Sequence, residues 1–224
     1  MELLVHEDKA EVAAAVSRRV GGIIDAATDM VTLGLAGGST PRDAYERMAT
    51  EIDDWHKVDA WLSDERWVPM DHERCNGAMA AMALMDRVPA TFHRPPWDPD
   101  LTPEASAAAY DATLHSIHAH KSPDVVLLGI GDDGHTASLF PGTEALEVRD
   151  RWFVANHVPQ QGEDRLTATY PLLWSAKLLI VMAVGQSKAE ALRAALQGQN
   201  PAGRIGEGDA AVEWYADREA ASLA

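Results

Sequence analysis

The stretch LLGIGDDGHTASLFPGT, residues 127–143, determines both the fold class that the sequence predicts and the position of a candidate site. An apolar run over residues 125–130 predicts a buried strand that leads into a glycine-containing turn. Glycines that allow a sharp turn and a close approach to a ligand stand at Gly129, Gly131 and Gly134. The same turn carries Asp132, Asp133 and His135. A histidine mounted at a strand end can exchange a proton near neutral pH, so the segment predicts an active site.

The three glycines also match G-x-G-x-x-G, the fingerprint of dinucleotide-binding domains. That fingerprint needs a long helix after the last glycine, with its N-terminus facing the pyrophosphate. Pro141 comes seven residues after Gly134 and interrupts such a helix. The carboxylates of Asp132 and Asp133 would also repel a pyrophosphate. We therefore expect no dinucleotide at this turn.

Strand-like and helix-like patterns alternate along the rest of the chain. Short apolar runs predict strands at residues 3–6, 31–36, 58–63, 124–130, 151–158, 178–184 and 211–215. Helical periodicity predicts helices at residues 8–28, 41–48, 76–85, 103–118 and 187–197. The proline-rich residues 88–103 are expected to form an irregular connection. This alternation predicts an α/β protein with a mainly parallel sheet and helices on both faces, in a single domain spanning residues 1–224.

The chain is strongly acidic, with 35 Asp and Glu residues against 19 Lys and Arg residues and a formal net charge of −16. Nucleic-acid binding depends on neutralising phosphates, so we expect no nucleic-acid partner. An anionic substrate would need cations gathered locally. The chain has only five lysines, which makes a lysine inside a motif informative.

Location is predicted from three features of the sequence. The N-terminal residues, MELLVHEDKA, lack the basic and long apolar regions of a signal peptide. No apolar run approaches the ~20 residues of a transmembrane helix, so no membrane partner is expected. The single cysteine, Cys75, excludes an intrachain disulfide and fits a reducing compartment. We expect a cytoplasmic protein.

A glycine-rich loop follows the predicted strand at residues 31–36. It consists of Gly37, Gly38, Ser39 and Thr40. Pro41 then opens a helix, the position that proline favours. Free N–H groups and the positive end of a helix dipole bind anions at such a place, so we expect a phosphate there. Ordinary capping of the helix by Ser39 or Thr40 is the alternative.

Three charged residues, Asp64-Glu65-Arg66, leave the end of the predicted strand at residues 58–63. There they can line the cleft that forms at the carboxyl ends of parallel strands. The guanidinium of Arg66 can hold an anionic oxygen in a forked grip. A surface ion pair between Arg66 and its neighbours is equally compatible with the spacing.

Two further cations occupy candidate loops. Arg165 opens RLTAT, residues 165–169, where its guanidinium and the hydroxyls can clamp a phosphate or sugar hydroxyls, although a loop arginine is usually solvated. Lys188 falls in the first turn of the predicted helix at residues 187–197. The helix dipole disfavours a cation in that turn, and a bound anion would compensate for it.

A histidine cluster invites a metal interpretation that the spacing does not favour. Its members are His115, His118 and His120. Residues at i, i+3 and i+5 do not all share one helix face, so we predict no metal site.

Several motifs, taken in order and with their spacing, resemble those of the 6-phosphogluconolactonases. They are AGGSTP (36–41), DERWVP (64–69), GIGDDGHTASLFPG (129–142), RLTATYP (165–171), GQSKAEAL (185–192) and PAGRI (201–205). The resemblance extends from about residue 30 to residue 218. The wider superfamily includes glucosamine-6-phosphate deaminases, whose motif continues with Asn-Glu-Pro where this chain has Leu139-Phe140-Pro141. The resemblance therefore favours the lactonases over a sugar-phosphate isomerase or deaminase. The intact His135 argues against the other alternative, a non-catalytic sugar-phosphate binding module.

The resemblance implies a Rossmann-like α/β fold, no required cofactor and a phosphorylated sugar lactone as the small-molecule substrate. The implied reaction is hydrolysis of 6-phospho-D-glucono-1,5-lactone to 6-phosphogluconate by a monomer or small homo-oligomer. By motif, the implied catalytic residues are His135 as general base, Asp133 and Arg66. The residues implied around the sugar phosphate are Gly37, Gly38, Ser39, Thr40, Asp64, Gly131, Arg165 and Lys188.

Two positions depart from the family pattern. Cys75 stands where a serine is usual before Asn76, and Trp174 stands where an asparagine often follows the RxTxT segment. The cysteine is expected to be benign. The tryptophan makes any substrate contact from its position doubtful and is expected to alter the rim of the pocket.

Overall fold

A seven-stranded parallel sheet runs through the computed structural model, which describes residues 1–118 and 121–224. The strands lie in the order β1-β10-β9-β6-β2-β3-β5. Their bounds are β1 Glu2–His6, β2 Val31–Leu35, β3 Val58–Leu62, β5 Thr91–His93, β6 Val125–Gly129, β9 Leu178–Ala183 and β10 Ala211–Asp217. The predicted mainly parallel α/β sheet is confirmed.

Alternating side chains in the central strands build two cores, one on each face of the sheet. In β6, Val125 and Leu127 pack into one core, whereas Val126 and Leu128 pack into the other. Successive residues of a strand point to opposite faces, so a strand buried on both faces must be apolar at every position. This requirement explains the continuous apolar runs of the sequence.

Helices cover both faces, as predicted. Their bounds are α1 Lys9–Ala26, α2 Ser39–Glu51, α3 Asn76–Ala83, α4 Pro103–Ile117, α5 Tyr170–Trp174 and α6 Ala189–Leu196. Residues of α1, α2 and α3 pack into one core, and residues of α4, α5 and α6 pack into the other. Local signals fix some helix starts: the Asp8 side chain accepts from Glu11 N before α1, and that of Thr102 accepts from Ala105 N before α4.

A second, antiparallel sheet lies beside the main one and was not predicted. It has the strand order β4-β8-β7. Its strands are β4 Asp64–Arg66, β7 Phe153–Val158 and β8 Glu163–Ala168. The predicted strand at 151–158 is therefore correct as a strand but belongs to this sheet. The treatment of Arg165 as a loop residue was wrong, because β8 carries it and leaves it only 8% exposed.

Two other local predictions need correction. The proline-rich stretch at 88–103 contains the short edge strand β5, which pairs with β3 beyond the reach of any local signal. Helix α5 was also missed, since five residues are too few to display a helical period.

The loops that follow β2, β3, β6 and β9 all leave the same edge of the parallel sheet. They carry the glycine loop at 37–40, the charged residues at 64–66, the histidine turn at 131–135 and Lys188. In the described part of the chain, no helix is long and apolar enough to cross a membrane.

Core packing in β9 gives a test of this architecture. Ile180 is 0% exposed. Ile180→Ala should lower the free energy of unfolding by about 2–5 kcal/mol and Ile180→Val by about 0.5–1.5 kcal/mol, measured by urea denaturation. Val5, on the edge strand β1, is 52% exposed, and Val5→Ala should change the free energy by less than about 0.5 kcal/mol. Equal losses for Ile180→Ala and Val5→Ala would contradict the assignment of β9 to the core.

Candidate active site

A cleft of about 200 Å³ opens at the carboxyl ends of the parallel strands. Its walls come from the glycine loop, from β4 and β8 of the small sheet, and from the histidine turn. They are formed by Ala36, Gly37, Gly38, Asp64, Arg66, Asn76, Gly129, Ile130, Gly131, His135, Ala137, Arg165 and Lys188. Residues from five separate motifs of the sequence therefore meet in one place.

The imidazole of His135 is held by a carboxylate within its own turn. Its Nδ1 lies 2.6 Å from Oδ1 of Asp133, and the same oxygen accepts the His135 backbone N–H at 3.1 Å. Burial acts to raise the pKa of Asp133, but these bonds to His135 outweigh it and the pKa is lowered. An ionised Asp133 fixes the proton of neutral His135 on Nδ1, which leaves Nε2 as the basic nitrogen.

The ring of His135 fits because the turn lacks a side chain at Gly131. A Cβ there would lie 2.1 Å from His135 Nδ1 and 2.7 Å from Asp133 Oδ1. Gly131 N donates to the His135 carbonyl at 2.8 Å, which closes the turn. Phe140 stacks on the imidazole, with ring centroids 3.9 Å apart. The turn therefore orients the ring in two ways, by a hydrogen bond and by stacking.

Two arginines face each other across the small sheet. Arg66 of β4 pairs in register with Arg165 of β8, and like charges directly opposite each other are unfavourable. Burial first, and then the charge of Arg66, lower the pKa of Arg165. The Nε atoms of both arginines are buried and have no hydrogen-bond partner among the described residues. An anion bound between them would relieve the repulsion and could accept from these donors.

Neighbouring residues hold the arginine pair in place. Arg165 forms an ion pair with Glu163, which also binds Arg74. Arg66 Nη1 donates to the Arg74 carbonyl at 2.7 Å. In residues 1–118 and 121–224 Arg66 forms no ion pair, so the alternative of a surface ion pair with its neighbours is not observed.

Lys188 also lines the cleft, and its side chain is paired with Asp132 of the histidine turn. Its Nζ is 2.5 Å from Oδ1 of Asp132, which also accepts from Ser187 Oγ at 3.1 Å. The hydrogen bond from Lys188 lowers the pKa of Asp132. Lys188 is the N-cap residue of α6. Asp132 thus supplies the anion that the position of Lys188 requires, and a bound phosphate would have to compete with it.

The buried carboxylate of Asp64, on β4, forms hydrogen bonds in the wall of the cleft. Asp64 accepts from Ser138 Oγ at 2.7 Å and from Asn76 Nδ2 at 3.2 Å. Sequence reasoning missed Asn76 and Ser138 as site residues, because neither an asparagine at a helix start nor a serine in a loop is distinctive. The only signal for Ser138 was its place in a quoted motif, and the only signal for Asn76 was its position after Cys75, where the chain departs from the family pattern.

Glu65 lies behind the cleft rather than in its wall. Its two oxygens accept the backbone N–H groups of Arg66, Asn76 and Gly77, each at 2.7 Å, and the Cys75 thiol at 3.3 Å. Burial raises its pKa, while these donors oppose the rise. The expectation that Glu65 lines the cleft with its neighbours was therefore wrong; it fixes the start of α3 instead.

The glycine loop borders the cleft through its backbone. Gly38 has a φ of 109° and precedes α2, which begins at Ser39 without a side-chain cap hydrogen bond among the described residues. The alternative of ordinary capping by Ser39 or Thr40 is thus not observed. Ser39 lines a smaller adjoining pocket that shares Gly38 and Arg66 with the cleft. Thr40 lines neither pocket.

The two departures from the family pattern lie outside the cleft wall. Cys75 caps α3, accepting from Ala78 N at 3.3 Å, and burial raises the pKa of its thiol to about 11. Trp174 donates to the Arg204 carbonyl at 2.9 Å and stacks on Tyr170. Trp174 is not among the residues that line the cleft.

The histidine cluster of α4 is also remote from the cleft. His115 stacks on Trp152, with ring centroids 4.0 Å apart. His118 is buried, and burial lowers its pKa to about 4. His120 lies outside the described residues.

Comparison with known proteins identifies the family of the chain. The family model described as glucosamine-6-phosphate isomerases/6-phosphogluconolactonase matches residues 7–214. The chain belongs to this family. A 6-phosphogluconolactonase of Nostoc sp. is 43% identical over 170 residues, which cover 72% of this chain and 69% of the relative. One from Streptomyces coelicolor is 34% identical over 247 residues, covering 99% of this chain and 94% of the relative.

Solved structures show the same fold. The structure of 6-phosphogluconolactonase from Trypanosoma brucei matches with a TM-score of 0.87 and 26% identity, covering 99% of this chain and 97% of that one. A monomeric glucosamine-6-phosphate deaminase matches with a TM-score of 0.85 and 24% identity, covering 100% of both chains. Proteins named for different chemistry therefore share this Rossmann-like fold, and the fold alone does not choose between their activities.

The contact between Gly131 and the imidazole generates a prediction. Gly131→Ala should displace the His135 ring and break its bond to Asp133, seen as loss of a downfield Nδ1 proton resonance in NMR spectra. Gly22→Ala is the control, because an added Cβ there meets nothing within 4 Å. An unchanged resonance in Gly131→Ala would contradict the described packing.

Proposed function

We propose that this protein hydrolyses 6-phospho-D-glucono-1,5-lactone to 6-phosphogluconate, the second step of the oxidative pentose phosphate pathway. The observation that carries the proposal is one cleft that contains both an imidazole held by a carboxylate and the cations Arg66, Arg165 and Lys188. The imidazole supplies a general base, and the three cations supply a site for a phosphate. Membership of the family and the names of the relatives add independent support.

In the proposed mechanism His135 activates water. Nε2 takes a proton from a water molecule as its oxygen bonds to the lactone carbonyl carbon, C1. The tetrahedral intermediate collapses with cleavage of the bond between C1 and the ring oxygen, and that oxygen takes the proton back from the imidazolium. Asp133 stabilises the charged imidazole between the two transfers. A positioned general base contributes about 10²–10⁴-fold to such a rate.

The phosphate serves as an anchor that takes no part in the chemistry. The chain carries a net charge of −16, so an anion needs a local concentration of cations. Arg165 and Lys188 supply it, and the glycine loop at the start of α2 adds backbone N–H donors. Fixing the substrate by this end brings its carbonyl to His135 and lowers the entropic cost of reaction.

The negative charge that develops on the carbonyl oxygen needs hydrogen-bond donors. Arg66 and the backbone N–H groups of the glycine loop at 37–38 border the cleft and are the candidates for this role, whereas the Gly131 N–H is already donated to the His135 carbonyl. The proposed reaction needs no cofactor, because a lactone is already an electrophilic ester. We further propose a cytoplasmic monomer or small homo-oligomer.

The protein lacks the carboxylate beside the histidine that the deaminase alternative would use. Phe140, whose ring stacks on His135, stands where the deaminase motif has glutamate. The cleft therefore has no carboxylate at that position for ring opening and isomerisation. Release of ammonia from glucosamine-6-phosphate by the purified protein would favour the alternative.

The role of His135 predicts a large loss of turnover in His135→Ala. After correction for spontaneous hydrolysis, kcat should fall by roughly two decades or more, since a general base is lost. The matched control is His157→Ala. His157 also pairs with an aspartate, Asp164, at 2.8 Å, but it lies outside the cleft. Wild-type turnover in His135→Ala would refute the role.

The phosphate site predicts a different kinetic signature. Arg165→Ala and Lys188→Ala should each raise KM roughly tenfold or more, because a charge-assisted bond to substrate is lost. Arg193→Ala on α6 is the control; its side chain is 43% exposed and paired with Glu190. An unchanged KM in both variants would remove these residues from the phosphate site.

A further inference from the structure

The amide side chain of Asn76 occupies a place in the cleft that the proposed mechanism leaves without a role. Asn76 begins α3 and is 1% exposed. Its Nδ2 donates to the Asp64 carbonyl at 3.0 Å and to Asp64 Oδ1 at 3.2 Å. Its Oδ1 is buried, has no partner among the described residues, and lies where a Cβ on Gly37 would come within 1.8 Å. The amide is therefore wedged between the glycine loop and the Asp64 carboxylate.

Each oxygen of the Asp64 carboxylate receives one donor from the protein. Asn76 donates to Oδ1 and Ser138 donates to Oδ2. An ionised carboxylate accepts at about four positions, so acceptor capacity remains on both oxygens. Much of the remaining cleft wall consists of donors, namely cations and backbone N–H groups. The hydroxyls of a sugar must themselves donate, and Asp64 offers them an acceptor.

Without the amide, Asp64 has an alternative partner. Arg165 lies on the neighbouring strand β8, and the charge of Asp64 opposes the lowering of the pKa of that guanidinium by burial and by Arg66. A freed carboxylate would turn toward Arg165 and compete with the phosphate for it. The bonds from Asn76 and Ser138 oppose this movement.

We infer that Asn76 is a positioning residue that fixes the Asp64 carboxylate so that Asp64 accepts hydrogen bonds from the ring hydroxyls of the sugar. The inference rests on the proposed function and deepens it. It assigns recognition of the polyol part of the substrate to the pair of Asn76 and Asp64, and it leaves recognition of the phosphate to the cations.

Asn76→Asp tests the inference because it replaces the donor with a second carboxylate at nearly unchanged shape. Two carboxylates about 3 Å apart cannot both ionise freely, so they share a proton and one apparent pKa is raised. Below that pKa the shared proton again gives Asp64 a donor; above it, repulsion separates the two groups. The ratio of variant to wild-type kcat/KM should therefore rise about tenfold as pH falls from about 8 to about 5.5, mainly through KM.

The ratio of variant to wild-type kcat/KM isolates the carboxylate pair created by Asn76→Asp from the other titrating or charged groups around Asp64. Those groups are Tyr45 from α2, Glu65 and Arg66 from β4, Arg165 from β8, His135 from the turn after β6, and Lys188 before α6. They are present in both proteins, so their direct titration cancels to first order. Asn76→Ala should lower kcat/KM by a similar factor at every pH.

The matched control is the exchange variant Asp64→Asn/Asn76→Asp, which keeps one carboxylate and one amide. For this exchange variant, the ratio of variant to wild-type kcat/KM should stay low at every pH. Thermal unfolding at both ends of the pH range checks that all variants are folded during the assay. A flat ratio for folded Asn76→Asp, with an active wild type, would overturn the inference alone. An inactive wild type would overturn the proposed function, and this inference with it.

Discussion

Parallel pairing of β2, β3, β6 and β9 is the constraint on which the candidate site depends. Parallel strands place all their carboxyl ends at one edge of the sheet, so each loop there is delivered to the same cleft. The strands are buried on both faces and packed into two cores, so the strand ends that carry these loops are held rigidly. Short, polar, glycine-containing loops can then hold reactive groups without contributing to the core themselves.

The protein is acidic overall, with a net charge of −16, but its cleft is lined by three cationic side chains, Arg66, Arg165 and Lys188. The pairing of Arg66 with Arg165 places like charges in register, an arrangement that only surrounding acids or a bound anion makes favourable. Glu163 supplies part of this compensation by pairing with Arg165, and Asp132 separately pairs with Lys188. They leave the Nε atoms of both arginines without partners in the described residues. The charge of the cleft is thus partly neutralised, and two donors that an anion could use remain without partners among the described residues.

The environment of a His–Asp pair decides what it can do. His135–Asp133 and His157–Asp164 have similar geometry, at 2.6 and 2.8 Å. The second pair has a histidine side chain 63% exposed to solvent, whereas the first faces a walled cleft beside cations. A base acts on a substrate only where the substrate is held, so the cleft distinguishes the proposed catalytic pair from a pair at the open surface.

The sequence by itself determined the α/β class, most strands and helices, and the turn that presents His135, because these depend on local periodicity and on glycines at fixed spacing. It also marked Arg66, Arg165 and Lys188 as candidates through their motifs. Only the tertiary structure decided that Arg66 opposes Arg165 on a small sheet, that Glu65 turns away from the cleft and that Asn76 holds Asp64. Strands β4 and β8 are separated by nearly a hundred residues, and no local pattern records which distant backbone a short polar strand will pair with.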